Sequence, residues 1–212
     1  MTTDPRLAQL MMELRRGGVT DKRVLDALEK TPRGMFLADH FLERAYDNVA
    51  LPIGHHQTAS QPAVVARMTE ALEIGERAKV LEIGTGCGYH AAVLARLCRR
   101  LYTMERHAPL LRGAADRFKR LGLVNITTLV ADGTRGWPEQ APFDRIIVTA
   151  AAADVPSILL EQLSPNGVMV IPVGLDENDQ YLLKVRRTGS EVETEDMGPT
   201  RFVPLIAGIA EA

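Results

Sequence analysis

The fold is decided by residues 79–89, which read Lys79-Val80-Leu81-Glu82-Ile83-Gly84-Thr85-Gly86-Cys87-Gly88-Tyr89. The first five form a short, mostly apolar run that predicts a buried strand, and residues 89–99 predict an Ala- and Leu-rich helix. Between them, closely spaced glycines let the backbone turn tightly and approach a ligand, while the start of the helix leaves N–H groups free to bind it. The stretch therefore predicts a ligand site at the carboxyl end of a strand.

Strands and helices keep alternating on the carboxyl side of this unit. Short apolar strands separated by helices are typical of a parallel sheet covered on both faces. The predicted fold class is therefore α/β, a doubly wound and mostly parallel sheet, followed by an antiparallel β extension. Further strands are predicted at 101–105, 126–130, 143–149 and 167–173, helices at 108–121 and 155–163, and strands of the extension at 181–187, 192–197 and 202–205.

The residues before the central unit are predicted to be helical at both ends and irregular in between. Helices are expected over 4–16 and 20–31, the second of them capped by Thr20. No regular period survives from 33 to 62, and an irregular run of that length is unusual inside a compact domain unless it is a functional loop. Ser60 then occupies the expected N-cap of the next helix.

Composition excludes several classes of protein. The 25 Lys and Arg residues are balanced by 27 Asp and Glu, so the basic footprint of a nucleic-acid-binding protein is absent. No apolar run predicts a membrane span, and the first residues lack the apolar core of a secretory signal. Cys87 and Cys98 are both expected on the helix after the glycines, about 16 Å apart, which is too far for a disulfide. Two free thiols favour a reducing, cytoplasmic location.

The spacing of the glycines indicates which ligand is bound. The order is G-x-G-x-G, and Tyr89 occupies the place of the third glycine in the dinucleotide pattern G-x-G-x-x-G. This spacing favours S-adenosylmethionine, which has no pyrophosphate to cradle, over a nicotinamide dinucleotide.

Two acidic residues at further strand ends support this ligand. Glu105 ends the second strand, 21 residues after Gly84, where a carboxylate can accept hydrogen bonds from both ribose hydroxyls. Asp132 follows the third strand and could accept from the adenine amino group, with Gly133 permitting the turn. An Asx turn is the alternative role for Asp132, since Asp-Gly commonly makes one.

Seven segments spread along the chain form a recognisable pattern. They are Ala50-Leu51-Pro52-Ile53-Gly54, Gln57-Thr58-Ala59-Ser60-Gln61-Pro62, 80–89, Ala131-Asp132-Gly133, Gly136-Trp137-Pro138, Ala141-Pro142-Phe143-Asp144 and Phe202-Val203-Pro204-Leu205. With them the chain resembles the bacterial protein-L-isoaspartate O-methyltransferase family, from about residue 10 to the C-terminus. Residues 50–62 are the specific part, since many methyltransferases share only the glycine motif.

The resemblance implies one Rossmann-like methyltransferase domain and a role in protein repair. The domain would span 1–212, with a helical cap and substrate loop at 1–75, the cofactor-binding core at 76–175 and the β extension at 176–212. The implied reaction transfers a methyl group from S-adenosylmethionine to the free α-carboxylate of isoaspartyl residues. The implied partners are damaged proteins and peptides, with no nucleic acid, membrane or metal.

The resemblance also assigns residues to roles. The family's serine matches Ser60, the implied catalytic residue. Two positions depart from the family pattern, because Ala59 replaces a larger aliphatic residue and His90 stands where Gln is common. The implied cofactor-binding residues are Gln57, Thr58, Ser60, Glu82, Gly84, Thr85, Gly86, Gly88, Glu105, Asp132 and Gly133. The implied substrate-binding residues are Ile53, Gly54, His55, Ala59, Val203, Pro204 and Leu205.

The chemistry of this reaction needs little from the protein. An α-carboxylate is already ionised at neutral pH, so no strong general base is required. The site must desolvate the carboxylate and aim it at the methyl carbon, and the hydroxyl of Ser60 suits that task. A metal is not expected either, because the adjacent His55 and His56 are not accompanied by further ligands at zinc spacing.

Three other functions stay open at the level of sequence. A related methyltransferase could act on a normal aspartate of a dedicated peptide or protein, and its cofactor half would be identical. A nicotinamide-dependent oxidoreductase is disfavoured by the position of Tyr89. A cofactor-binding regulatory module without catalysis is disfavoured, weakly, by the hydroxyls of Thr58 and Ser60.

Overall fold

A seven-stranded sheet organises the residues that the computed structural model describes, which are 4–176 and 178–211. A separate two-stranded hairpin lies before it in the chain. The α-helices are α1 (Pro5–Arg16), α2 (Lys22–Glu29), α3 (Pro62–Ala71), α4 (Tyr89–Ala95), α5 (Ala108–Arg120) and α6 (Ser157–Glu161). The strands are β1 (Leu51–Gly54), β2 (Gln57–Ala59), β3 (Lys79–Ile83), β4 (Arg100–Glu105), β5 (Ile126–Val130), β6 (Phe143–Val148), β7 (Leu163–Val173), β8 (Gln180–Thr188) and β9 (Glu191–Thr200).

The order of the strands creates a crevice at the centre of the sheet. That order is β5-β4-β3-β6-β7-β8-β9, and the strands from β5 to β7 pair in parallel. The chain moves outward from β3 to β4 and β5, then returns to the other side of β3 as β6. Ligands bind beyond the carboxyl ends of the strands at such a reversal. The predicted doubly wound fold is confirmed, with β8 and β9 as its antiparallel extension.

Both faces of the sheet are buried, which explains the apolar runs in its strands. Along β3, Val80 belongs to one hydrophobic cluster, while Leu81 and Ile83 belong to the other. Neighbouring side chains of a strand point to opposite faces, so the two clusters are the two sides of the sheet. Within residues 4–176 and 178–211, no helix is long and apolar enough to cross a membrane.

The irregular segment before α3 contains short pieces of regular structure. Two 3₁₀ helices cover Arg33–Phe36 and Asp39–Arg44, and β1 and β2 form an antiparallel hairpin. His55 and His56 make the turn of this hairpin with φ of 52° and 56°. Two successive residues with positive φ are what a tight type I′ turn requires.

Three local predictions at helix ends are wrong. Asp21, not Thr20, caps α2, because its carboxylate accepts from the backbone of Arg23 while Thr20 donates to Glu70. Gln61 is the N-cap of α3, so Ser60 lies one residue before the cap and two before the first helical residue. Helix α4 ends at Ala95 rather than at residue 99, since the last turn tightens and the backbone N–H groups of Arg99 and Arg100 bond to the carbonyl of Ala78, just before β3.

The shorter α4 changes the reasoning about the cysteines. Cys87 precedes the helix and Cys98 follows it, so the expected separation along one helix axis does not apply. Both thiols are nevertheless free and buried, and burial raises the pKa of each.

The prediction of a strand at 202–205 is also wrong. Pro204 forms only an isolated parallel bridge with Ala151, in the loop after β6. The backbone N–H of Ala151 donates to Val203 at 2.8 Å, and Leu205 donates to the carbonyl of Ala151 at 2.7 Å. Residues 203–205 therefore lie across the carboxyl ends of the central strands and are not a free sheet edge.

The outer edge of the extension is β9, whose other side pairs with β8. Its exposed side chains include Glu191, Glu193, Glu195 and Asp196. Charged side chains on an edge strand oppose pairing with a further chain.

Candidate functional site

A cavity of about 910 Å³ opens at the carboxyl ends of the central strands. Its walls come from the glycine loop after β3, the ends of β4 and β6, the hairpin with Ser60, and residues 199–206. This volume lies within the range of pockets that enclose small-molecule ligands. The predicted site residues that line it are Gln57, Thr58, Ala59, Ser60, Gly84, Thr85, Gly86, Glu105, Gly133, Val203, Pro204 and Leu205.

The other predicted site residues lie beside or behind the lining. Ile53 packs its Cδ1 atom 3.2 Å from the place where Gly86 would carry a Cβ. The ring of His55 lies against that of His107, with 5.3 Å between centroids. The remaining ones are Gly54, Glu82, Gly88 and Asp132. Roles of these residues in binding stay predictions.

The glycine loop follows the course it does because side chains would not fit. Gly84 has a φ of +96°, and a Cβ there would lie 2.2 Å from Oγ1 of Thr149. Thr149 follows β6, and its hydroxyl lies 3.0 Å from the carbonyl oxygen of Ile83 and 2.7 Å from that of Gly84. Gly88 has a φ of +90° and would press a Cβ into Phe118 at 2.8 Å. The loop is therefore held tightly between β6 and α5.

Glu105 holds the loop from the other side. One carboxylate oxygen accepts from the backbone N–H of Gly86 at 2.8 Å, and the other accepts from His107 at 3.0 Å. The side chain is 6% exposed and lines the cavity. Each carboxylate oxygen has a second lone pair, so Glu105 can still accept hydrogen bonds from a ligand.

Glu82 lies behind the cavity wall and is linked to it through the hydroxyl of Thr103. Its carboxyl is fully buried and accepts from Thr103, whose hydroxyl is 2.6 Å from that of Thr85 in the lining. Burial raises the pKa of Glu82 to about 8, while the bond from Thr103 opposes the shift and the charge of Glu105 adds to it. Glu82 is therefore mostly protonated at neutral pH and has no direct access to a ligand.

Asp132 makes the Asx turn that was the alternative role for it. Its Oδ1 accepts from both the backbone N–H of Thr134 at 2.9 Å and the hydroxyl of that residue at 2.7 Å. Partial burial opposes its ionisation, but these bonds and one from the backbone of Gly208 hold its pKa below the ordinary value. Gly133 lines the cavity, and a Cβ there would meet Ile83 at 2.4 Å.

His90 is in the cavity lining and has a buried ring nitrogen without a partner among the described residues. The hydroxyl of Thr69 donates to the carbonyl of Val65 at 2.7 Å and lies 2.9 Å from Nε2 of His90. Since a hydroxyl has one hydrogen, Nε2 must donate to it, which leaves Nδ1 without a proton. Nδ1 has no partner among the described residues, and burial lowers the pKa of His90 to about 3, so the ring stays neutral.

The cavity contains residues that the sequence analysis did not select. Thr149 could have been found, because it ends the predicted strand 143–149 just as Glu105 ends its own. Arg67 is the sixth residue of α3 and lies seven residues after Ser60, a helical spacing that could have indicated it. Phe202 belongs to the segment 202–205 of the family pattern but is given no role there, whereas Arg106 and Arg201 carry no signal beyond their nearness to predicted residues.

Comparison with known proteins gives one consistent result. The model of the family described as protein-L-isoaspartate(D-aspartate) O-methyltransferase matches residues 6–210. A relative named protein-L-isoaspartate O-methyltransferase, from Paramagnetospirillum magneticum, is 59% identical over 98% of each chain. Another of that name, from Paracoccus denitrificans, is 54% identical over the whole of both chains.

Solved structures agree with the fold. One titled protein-L-isoaspartate O-methyltransferase superposes with a TM-score of 0.86 at 27% identity, over 96% of this chain and 67% of that one. A second, a putative protein-L-isoaspartate O-methyltransferase from Plasmodium falciparum in complex with S-adenosyl-L-homocysteine, gives a TM-score of 0.79 at 23% identity. It covers 93% of this chain and 97% of that chain.

The buried carboxyl of Glu82 predicts a pH-dependent stability. The pKa of Glu82 is raised above 4.5, so its contribution is fully present below about pH 4.5 and is lost as the pH rises towards about 8. Between pH 6 and pH 7.5, the stability of the wild type relative to Glu82→Gln should fall by about 1 kcal/mol per pH unit. Denaturant unfolding of both proteins measures this, with the exposed Glu76→Gln as control. A difference that does not change with pH would contradict the protonated state.

Proposed function

The chain belongs to the protein-L-isoaspartate(D-aspartate) O-methyltransferase family. On that premise we propose which of its residues bind the cofactor, which bind the substrate and which orient the reacting carboxylate. The enzyme is an S-adenosylmethionine-dependent protein carboxyl methyltransferase. It methylates the free α-carboxylate of isoaspartyl residues, which starts the repair of damaged proteins.

The residues of the cavity wall have the shape and the hydrogen-bonding groups that binding of the cofactor requires. The cradle at Gly84 and Gly133 is one that a Cβ would fill, so backbone can approach a ligand closely there. We propose that Glu105 accepts hydrogen bonds from the ribose hydroxyls and that the backbone of Thr85 and Gly86 contacts the same ligand. When bound, S-adenosylmethionine supplies the methyl group on a positively charged sulfur.

The charge of the lining supports a carboxylate as the acceptor. Arg67, Arg106 and Arg201 line the cavity, and Glu105 is the one acidic residue of the lining in the part of the chain described. Opposite charge attracts an anion into a cleft of this kind. This excess of positive charge is the observation that carries the proposal for the substrate.

Ser60 is proposed to orient that carboxylate. It lies between the hairpin and α3 and lines the cavity. A hydroxyl there can donate to a carboxylate oxygen and aim the other oxygen at the methyl carbon. Because the nucleophile is already ionised, no residue has to remove a proton from it.

The substrate is proposed to be read through its main chain. The isoaspartyl linkage adds a methylene to the backbone and moves the free carboxylate to the α carbon, so side-chain recognition would not detect it. Residues 53–59 and 203–205 flank the place where the lesion would lie. Val203 and Leu205 already bond to Ala151, so this segment offers fewer free backbone groups than an edge strand would.

The setting of the enzyme is proposed from its cysteines and charge. Two buried, reduced thiols suit a cytoplasmic protein. Near-neutral net charge disfavours nucleic acid as a partner. We also propose that the reaction needs no metal, since neither the nucleophile nor the leaving group requires one.

Replacement of Ser60 tests its role in the chemical step. Ser60→Ala should lower kcat by about tenfold, up to about a hundredfold. Loss of one donor to a developing oxyanion costs roughly 10²–10³ in rate, and the effect is smaller here because the carboxylate loses charge during the reaction. Affinity for S-adenosylhomocysteine, measured by calorimetry, should stay within a few-fold. Ser157→Ala, at the exposed first residue of α6, is the control. Wild-type turnover in Ser60→Ala would refute the catalytic assignment.

Replacement of Glu105 tests the ribose contact. Glu105→Gln keeps an acceptor for Gly86 but removes the charge, and a hydrogen bond to a charged group is worth about 1.5–3 kcal/mol. Affinity for the cofactor should therefore fall by roughly 10- to 150-fold, with a smaller effect on kcat at saturation. Calorimetry checks this beside Glu76→Gln, and unchanged affinity would show that Glu105 only braces the loop.

Matched peptides test the substrate. Methyl transfer from labelled cofactor should strongly prefer a peptide with isoaspartate over the same peptide with aspartate, across several flanking sequences. Peptides in which the lesion is locked in a stable helix should react poorly, because the main chain must be accessible. Equal rates on the two forms would favour the alternative enzyme, which methylates a normal aspartate.

A further inference from the structure

Arg33 is a buried cation outside the cavity lining. Its side chain is among the largest that are fully buried, with 1% of the residue exposed. It forms no ion pair within the described residues, 4–176 and 178–211. Burial lowers the pKa of Arg33, yet a guanidinium stays charged in proteins. A buried charge of this kind is costly, so its hydrogen bonds must matter to the structure.

The guanidinium of Arg33 donates hydrogen bonds to four backbone carbonyls in the segment that leads to α3. Nη1 donates to Ala45 at 3.2 Å and to Asp47 at 3.1 Å. Nη2 donates to Val49 at 2.9 Å and to Ser60 at 3.1 Å. These four bonds span 27 residues in sequence from Arg33 to Ser60. They depend on the planar fork of arginine, which lysine cannot reproduce.

The other side of Arg33 contacts the cofactor half of the molecule. Its guanidinium carbon lies 5.8 Å from the ring centre of Tyr89, the first residue of α4. A second arginine links the same two parts of the chain. Arg117 donates to the carbonyl of Met35 at 2.9 Å and to that of Cys87, in the glycine loop, at 3.4 Å. Arg33 thus lies between the backbone of Ser60 and the helix that leaves the glycine loop.

From this geometry we infer that Arg33 is a positioning residue for methyl transfer. By holding the carbonyl of Ser60 against the first turn of α4, it fixes where the Ser60 segment lies relative to the glycine loop. The inference rests on the proposed role of that segment at the substrate carboxylate. The glycine loop is held by Thr149 and Glu105, so loss of the Arg33 bonds is expected to change cofactor affinity much less than kcat.

The test separates the chemical step from cofactor binding. Arg33→Lys keeps the charge but loses the fork, and kcat should fall by about 10- to 100-fold, since displacements near 1 Å have effects of that size. Affinity for S-adenosylhomocysteine should stay within about threefold. Arg44→Ala removes an exposed arginine of the same segment that pairs with Asp47, and it should leave both quantities unchanged. Assays are run well below the melting temperature of each variant.

Two results would overturn the inference. One is wild-type kcat in Arg33→Lys. The other is a parallel loss of kcat and cofactor affinity, which would mean general loosening of the fold. Wild-type turnover in Ser60→Ala would refute the proposed role of the Ser60 hydroxyl. It would not affect the test of Arg33, because that test compares kcat with cofactor affinity within the Arg33→Lys variant alone.

A second variant decides the matter if Arg33→Lys does not fold. Replacing the peptide bond between Ser60 and Gln61 by an ester weakens the carbonyl of Ser60 as an acceptor and leaves Arg33 in place. The same split is expected, with lower kcat and retained cofactor affinity. An ester at the Ser157–Ile158 bond is the matched control, and full activity of the Ser60 ester would overturn the inference.

Discussion

The close contact between Gly84 and Thr149 is the constraint on which the rest of the site depends. Here the chain leaves β3 while the neighbouring β6 ends within touching distance, and no room remains for a side chain on the loop. Gly84 has a left-handed φ of +96°, which a residue without a side chain adopts freely, and the backbone N–H groups of Gly84 and Thr85 donate to the carbonyl of Met104 on β4. Glu105, from the strand on the other side of β3, then fastens the loop at Gly86.

The cofactor half of the molecule could be predicted from the sequence because its determinants are local. A strand, a glycine loop and a helix follow one another in 79–95, and each strand that comes after supplies its functional residue at its own end. Glu105, Gly133 and the glycines consequently lie in or at the cavity as expected. Thr149 obeys the same rule at the end of β6.

The substrate half could be predicted only in part, because contacts far apart in sequence shape it. The position of Ser60 relative to α4 depends on Arg33, 27 residues earlier, and on the aromatic ring of Tyr89. The course of residues 203–205 is set by backbone bonds to Ala151, although Pro204 and its apolar neighbours read as a strand. Glu82 is buried because of the packing of the sheet, which the sequence alone does not show. For that reason Glu82 stands among the residues that the sequence predicts to contact the ligand.

The acidic side chains of β9 have a consequence for the way this enzyme meets its clients. An extended segment of a client protein tends to add to any open sheet edge. A repair enzyme with an open, uncharged edge strand would therefore tend to aggregate with such proteins. Glu191, Glu193 and Glu195 oppose strand addition along β9, so a damaged chain pairs less readily with this edge than it would with an uncharged one.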